Sequence, residues 1–392
     1  MPCQLQTSAF VHCSGGVHLT LASHPSLGIA RKLSDISAFF QTLDLHAAVD
    51  ITTAERGDTV QVHCRLKTDI AQAWTPAYDT LQIPTRWTQP PSLSASAEPC
   101  RLLDLEILVA LLSSPVPFVF VDLPDLMSCV RVRRFMVEAA RKTALAFNTE
   151  AAERPAAFWR YDEENGFILQ PGQSLICALI CATQPEATGK LYDFSCYRAT
   201  EYVILLGIAQ EAMISNPALF QALQQRNELH AIRSGLFHEV FLVEYGSMVQ
   251  PLPAHFYVPG DRLWFRNPDE RSSDITGYEG SWVIYMGGGL FSNFWKQHQP
   301  YTLVHKCVEI YHWRHGAYTD AQGQLQMDEA KVETLVDDTL RNPAELARVL
   351  SLMTRMREPQ GLYGQGGCID TTREHPKHVS AHSCDLTLPA WP

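Results

Sequence analysis

The chain of 392 residues is long enough for two domains, or for one large domain with an extension. Hydrophobic residues make up 46% of it and charged residues 19%, which is the balance of a folded protein and not of a disordered one. A formal net charge of -11 argues against general binding to nucleic acid or to anionic membrane, partners that select basic surfaces.

The opening "MPCQLQTSAFVHCSGGVHLTL" lacks the basic head and unbroken apolar core of a secretory signal, so no classical export is expected. "VHLTLA", "DTVQVHCRL" and "YDTLQIP" alternate as strands do, and "DISAFFQTLDLHAAV" reads as a short helix. The Pro- and Ser-rich "TQPPSLSASAEP" over 88–99 predicts a linker and a boundary near residue 100. Residues 1–100 are then an accessory module, mainly β, for partner recognition or delivery. The apolar run "LLDLEILVALLSSPVPFVFVDL" is interrupted by acids, serines and prolines and is too broken to span a bilayer.

Periodicity predicts a helix over 123–147, a hairpin in "AAFWRYDEENGFILQP" turning at "EENG", and a helix in "GQSLICALICATQ". Cys177 and Cys181 share one face of that last helix and are expected to be core thiols. A further helix runs from about Tyr197 to Ile214. "LVEYGSM", "RLWFRNP" and "SWVIYMGGG" are expected in one sheet, with "YMGGGL" a tight turn and not a phosphate loop, since no GK[ST] follows. Two helices, "MDEAKVETLVDDTLRN" and "PAELARVLSLMTRMRE", close the fold, and residues 366–392 are expected to be a loosely ordered tail.

Eleven cysteines show neither the spacing of a disulfide framework nor paired CxxC motifs, and the chain has no HExxH. Neither metal nor cofactor is expected. Scattered free thiols fit a reducing, cytoplasmic setting, with export by a specialised secretion machine as the alternative.

Cys196, in "YDFSCYRATEYVI", has the pattern of a nucleophile. A cysteine in the first turn of a helix meets unpaired backbone N–H groups and the positive end of the helix dipole, and both favour thiolate. Papain-type enzymes use the same order of loop, cysteine and long buried helix. A thiol packed beneath a sheet is the plainer alternative. A nucleophilic thiol needs a proton acceptor, and Glu279, Asn293 and His298 in "GYEGSWVIYMGGGLFSNFWKQH" are the residues near a strand and its turn that qualify for the site.

In their order, these segments resemble the bacterial protein-glutamine γ-glutamyltransferases of the spore-coat type. "GDRLWFRNPD" over 260–269 carries the most specific likeness, joined by "FWRYDEENG", "YDFSCYRATEYVI" and "ARVLSLMTRMREPQGL", across roughly residues 115–365. The resemblance implies an α+β fold, with a papain-like, NlpC/P60-related catalytic domain over 101–365 behind the N-terminal module. It implies that the cysteine attacks a protein glutamine, releases ammonia, and passes the thioester to a lysine amine as an isopeptide crosslink. Water as acceptor gives a deamidase or another amide hydrolase, and a catalytically inactive scaffold is the non-enzyme alternative. Three positions depart from the family pattern. Ser195 stands where the family keeps a glutamate before the cysteine, Ser281 where it keeps one on the next strand, and Asn293 where it keeps a histidine. Glu279 is then the provisional base, with Asp193, Glu201 and His298 as substitutes.

Overall fold

The structure, a computed structural model, describes residues 15–22, 28–83, 99–147, 152–164, 166–232, 234–357 and 367–388. The linker expected over 88–99 falls almost wholly outside the described residues, as do Cys3, Cys13 and most of "LYGQGGC".

The first strand, β1 (Gly16–Ala22), buries Val17, Leu19 and Leu21 on alternate positions. After α1 (Gly28–Thr42) come β2 (Val49–Arg56) and β3 (Thr59–Leu66). β1 pairs antiparallel with β3 on one side and parallel with β4 (Pro117–Phe120) on the other, giving the order β2-β3-β1-β4. A strand beyond the boundary expected near residue 100 thus completes the N-terminal sheet. The segment "YDTLQIP" also departs from the strand expectation. It forms two 3₁₀ turns, Pro76–Tyr78 and Thr80–Gln82, pinned where Thr80 Oγ1 bonds both the N–H and the C=O of Tyr257 (2.8 and 2.7 Å).

The apolar run at 102–123 divides between α2 (Pro99–Leu112) and β4. Helix α3 (Leu123–Lys142) opens on the Asp122 cap with Pro124 in its first turn and ends on Arg141 and Lys142, charges that suit its dipole. The expected hairpin forms as β5 (Trp159–Asp162) and β6 (Gly166–Leu169), and α4 (Leu175–Thr183) follows. Cys177 is exposed on α4 and Cys181 half-buried, so the expectation of two core thiols fails. The buried face is filled by Leu175, Ala178, Leu179 and Ala182 instead.

Helix α5 (Cys196–Ser215) is apolar around most of its circumference and lies in the centre of the core, buried almost continuously from Ala199 to Ala212. Gly207 lets α3 approach: a Cβ there would stand 2.5 Å from Met136 Cγ. Glu211, fully buried, is matched by Arg131 of α3 in a bidentate pair (2.7 and 2.9 Å).

The three strands expected in one sheet are β7 (Leu242–Gly246), β8 (Arg262–Arg266) and β9 (Gly280–Ile284). Helices α6 (Leu303–Gly316), α7 (Glu329–Arg341) and α8 (Pro343–Met353) pack beyond it. A fourth strand, β10 (Thr372–Pro376), joins the sheet in the order β9-β8-β10-β7. It lies within the stretch expected to be a loose tail. Gly and His content suggested disorder there, yet Arg373 and Glu374 are buried and paired across the sheet.

"GDRLWFRNPD" serves as scaffold. Asp261 is fully buried, ion-paired with the fully buried Arg133 at 2.8 Å, and accepts from the Val258 N–H and the Tyr245 hydroxyl. Asn267 Nδ2 donates to Ser272 Oγ and Tyr278 O, and Asp269 caps the short helix Glu270–Ser273. These bonds fix the loop that leads into β9.

Among the described residues, no helix is long and apolar enough to cross a membrane, and no three His, Cys, Asp or Glu side chains converge as a metal site.

Candidate active site

Cys196 is the first residue of α5. Ser195, in the place of the family glutamate, is the helix cap, its hydroxyl accepting from the Arg198 N–H at 3.3 Å. The loop ahead is clamped by buried Arg154, which donates to Asp193 O (2.8 Å) and lies 3.3 Å from the centre of the Phe194 ring. Burial pushes the Cys196 thiol above its ordinary value; N–H groups of Trp282 and Tyr197 directed at the sulfur, and the charge of Lys306, oppose that rise.

The two amide donors have a shared support. The rings of Tyr197 and Trp282 meet edge-on, 5.1 Å between centres, and the buried Arg262 guanidinium lies 4.9 and 4.7 Å from them. Trp264, directly opposite Trp282 in the β8–β9 register, stacks on it at 6.1 Å. Glu374 of β10 pairs with Arg262 and also with His238 at 2.7 Å. A Cβ on Gly280 would fall 2.1 Å from Trp264 Nε1, so the strand can carry only glycine at that point without moving the stack.

Cys196 opens on a cavity of about 380 Å³. Phe147, Tyr278 and Trp295 contribute aromatic wall, and Lys306 with Glu309 a charged one. Lys306 is 2% exposed, its ammonium 2.6 Å from Glu309 Oε2 and 3.4 Å from the centre of the Tyr301 ring.

The residues expected at the site are placed differently from one another. Asn293 lines the cavity, but its amide is engaged with the loop, donating to Gln299 O at 2.9 Å and accepting from the Trp295 N–H at 3.2 Å. Ser281 also lines it. Glu279 is exposed just ahead of β9, its carboxylate accepting from the Gly277 N–H at 3.1 Å, and its charge acts against the thiolate. His298 is exposed in the following loop at a φ of +62°. Glu201 is fully buried in α5 and paired with Arg198 at 2.8 Å. Asp193 lies in the clamped loop, where its carbonyl receives Arg154.

Sequence reasoning missed Tyr197, Trp282, Arg262 and Lys306. A signal for Lys306 did exist: in "TLVHKCVEIYHW" a lysine stands next to Cys307 and one turn before Ile310, both buried. Nothing in the local pattern brings Arg262 to Tyr197, which lies in a distant segment.

The site is thus a cysteine at the start of a buried helix, backed by one amide donor from that helix and one from a neighbouring strand, in a mixed helix-and-strand protein. The family model described as protein-glutamine gamma-glutamyltransferase matches residues 82–365, and the chain belongs to that family. Among solved structures, a transglutaminase from Geobacillus stearothermophilus, without its C-terminal extension, is similar at 18% identity and a TM-score of 0.38. That alignment covers 54% of this chain and 96% of the other. No curated protein matches the chain.

Proposed function

We propose that this protein is a cysteine-dependent acyltransferase acting on protein glutamine, with Cys196 as nucleophile and a papain-like core around it. In this reading the sulfur attacks the glutamine side-chain carbonyl carbon. The tetrahedral oxyanion draws on nearby backbone donors, ammonia leaves, and the thioester passes to a lysine amine. Glu279, whose charge reaches the thiol, takes the role of general base.

One observation carries the reading: the sulfur sits at a helix start with N–H groups of both Tyr197 and Trp282 aimed at it, beside a cavity large enough for an extended side chain. The family supports protein substrates and a transferase activity.

The test is incorporation of a fluorescent primary amine into a glutamine-rich acceptor protein, run beside Cys196→Ala. Labelling that disappears in the variant supports transamidation. Ammonia release without labelling redirects the reading to deamidation. Neither product, together with alkylation of Cys196 no faster than that of Cys129, refutes it and leaves a binding scaffold.

A further inference from the structure

We infer that Lys306 supplies the positive charge that stabilises the Cys196 thiolate as it forms, a part an imidazolium plays in a cysteine–histidine pair. Its role in turnover rests on the acyltransferase reading above; its effect on the thiol does not.

The inference starts from an unusual placement. Lysine is almost never fully buried unless its charge is compensated, yet Lys306 is 2% exposed in the wall of the cavity that holds Cys196. Tyr301 presents its ring face to the ammonium and Glu309 a carboxylate oxygen, which fixes the head group on a flexible four-carbon stem. The two charges of that pair are not equally sheltered. The Glu309 side chain is 22% exposed against 3% for Lys306, and its other oxygen receives the Tyr301 hydroxyl at 3.3 Å. The carboxylate is therefore better screened by water than the ammonium.

The rest of the cavity makes this charge distinctive. Lys296 also lines it but is about half exposed and tied to Glu333. Glu329, Glu333 and Asp337 of α7 add negative charge, as does Glu279 from ahead of β9. His305, on the same helix as Lys306, is held below its ordinary value by burial, which leaves it neutral at pH 7. Asn293, which fills the family histidine position, carries no charge. Among the described residues, Lys306 is the buried cation of this cavity, and its charge lowers the Cys196 pKa against the effect of burial.

A purely structural Lys306–Glu309 pair and an electrostatic role predict different signs. The measurement is peptide-resolved iodoacetamide alkylation of Cys196 from pH 6 to pH 10, with exposed Cys177 as internal standard and a melting curve for each variant. For Lys306→Met the alkylation midpoint is expected to rise by about one pH unit, roughly a tenfold slower reaction at pH 8. Lys306→Arg is expected to restore most of it. Glu309→Gln keeps the cation and removes the opposing charge, so its midpoint is expected to fall. An unchanged midpoint in folded Lys306→Met, or shifts of the same sign in Lys306→Met and Glu309→Gln, overturns the inference. Should Lys306→Met not fold, the direction of the Glu309→Gln shift alone decides, and a rise overturns it. Alkylation needs no protein substrate, so an inert wild type in the amine assay would refute the acyltransferase reading while leaving this result standing.

Discussion

The guanidinium of Arg262 lies 4.7 Å from the centre of the Trp282 ring, on a residue whose backbone N–H is directed at the Cys196 sulfur. A planar cation wedged between Tyr197 and Trp282 fixes two donors that come from different segments of the chain. Replacing Arg262 by Gln removes that wedge and the partner of Glu374. The expected result is a fall in kcat of about tenfold to a hundredfold, the scale of an ångström-level misplacement, with KM little changed. Lys should rescue poorly, because it lacks the flat face that stacks. Steady-state amine incorporation is the measurement.

The Cys196 thiol is raised by burial, so the reactive thiolate is a minor species at neutral pH. Alkylation of Cys196 should climb by roughly tenfold per pH unit below its midpoint and still be rising at pH 9. A plateau reached by pH 7 would contradict the burial account.

Glu106 on α2 accepts from the Gly288 N–H at 2.8 Å and from the Tyr285 hydroxyl, holding the glycine turn that leaves β9. Burial pushes its carboxyl up to about 7. The folded protein therefore keeps a proton that the unfolded chain gives up at lower pH. The stability this contributes is present below the unfolded value and is lost as the pH rises through 7. Glu106→Gln should flatten the melting temperature between pH 5 and pH 8 and leave the variant more stable above pH 7 by about 3 kcal/mol.

Asp261 and Arg133 form an ion pair in which both side chains are fully buried. Asp261→Asn leaves the guanidinium uncompensated and is expected to cost about 3–5 kcal/mol, read by urea unfolding. A loss below about 1 kcal/mol would mean that water reaches the pair.

Much of the architecture was legible because periodicity reports local structure. The helix that begins at Cys196, the 159–169 hairpin and the strands at 242, 262 and 280 follow from patterns a few residues long. The placement of Cys196 at a helix start was legible for the same reason, since a cap, a cysteine and an apolar helix are neighbours in sequence. The failures are non-local. Thr80 is drawn into a 3₁₀ turn by the backbone of Tyr257, and β4 completes a sheet begun a hundred residues earlier. Asn293, chosen by its spacing, has its amide committed to its own loop, while Lys306 reaches the cavity from a helix whose periodicity gives no direction in space. The motif "GDRLWFRNPD" was the most specific signal, and what it specifies is mostly packing: Asp261, Asn267 and Asp269 bond to scaffold.

Strand β10 runs between β8 and β7, and its Glu374 meets Arg262 across 112 positions of sequence. The sheet that aims the Trp282 amide at the thiol can therefore close only after residue 376 has been synthesised and has left the ribosome. Until then the Trp282 donor is not held in place, so a half-made chain lacks part of the arrangement that the proposed acyl transfer uses. On the acyltransferase reading, order of synthesis acts as a safety catch.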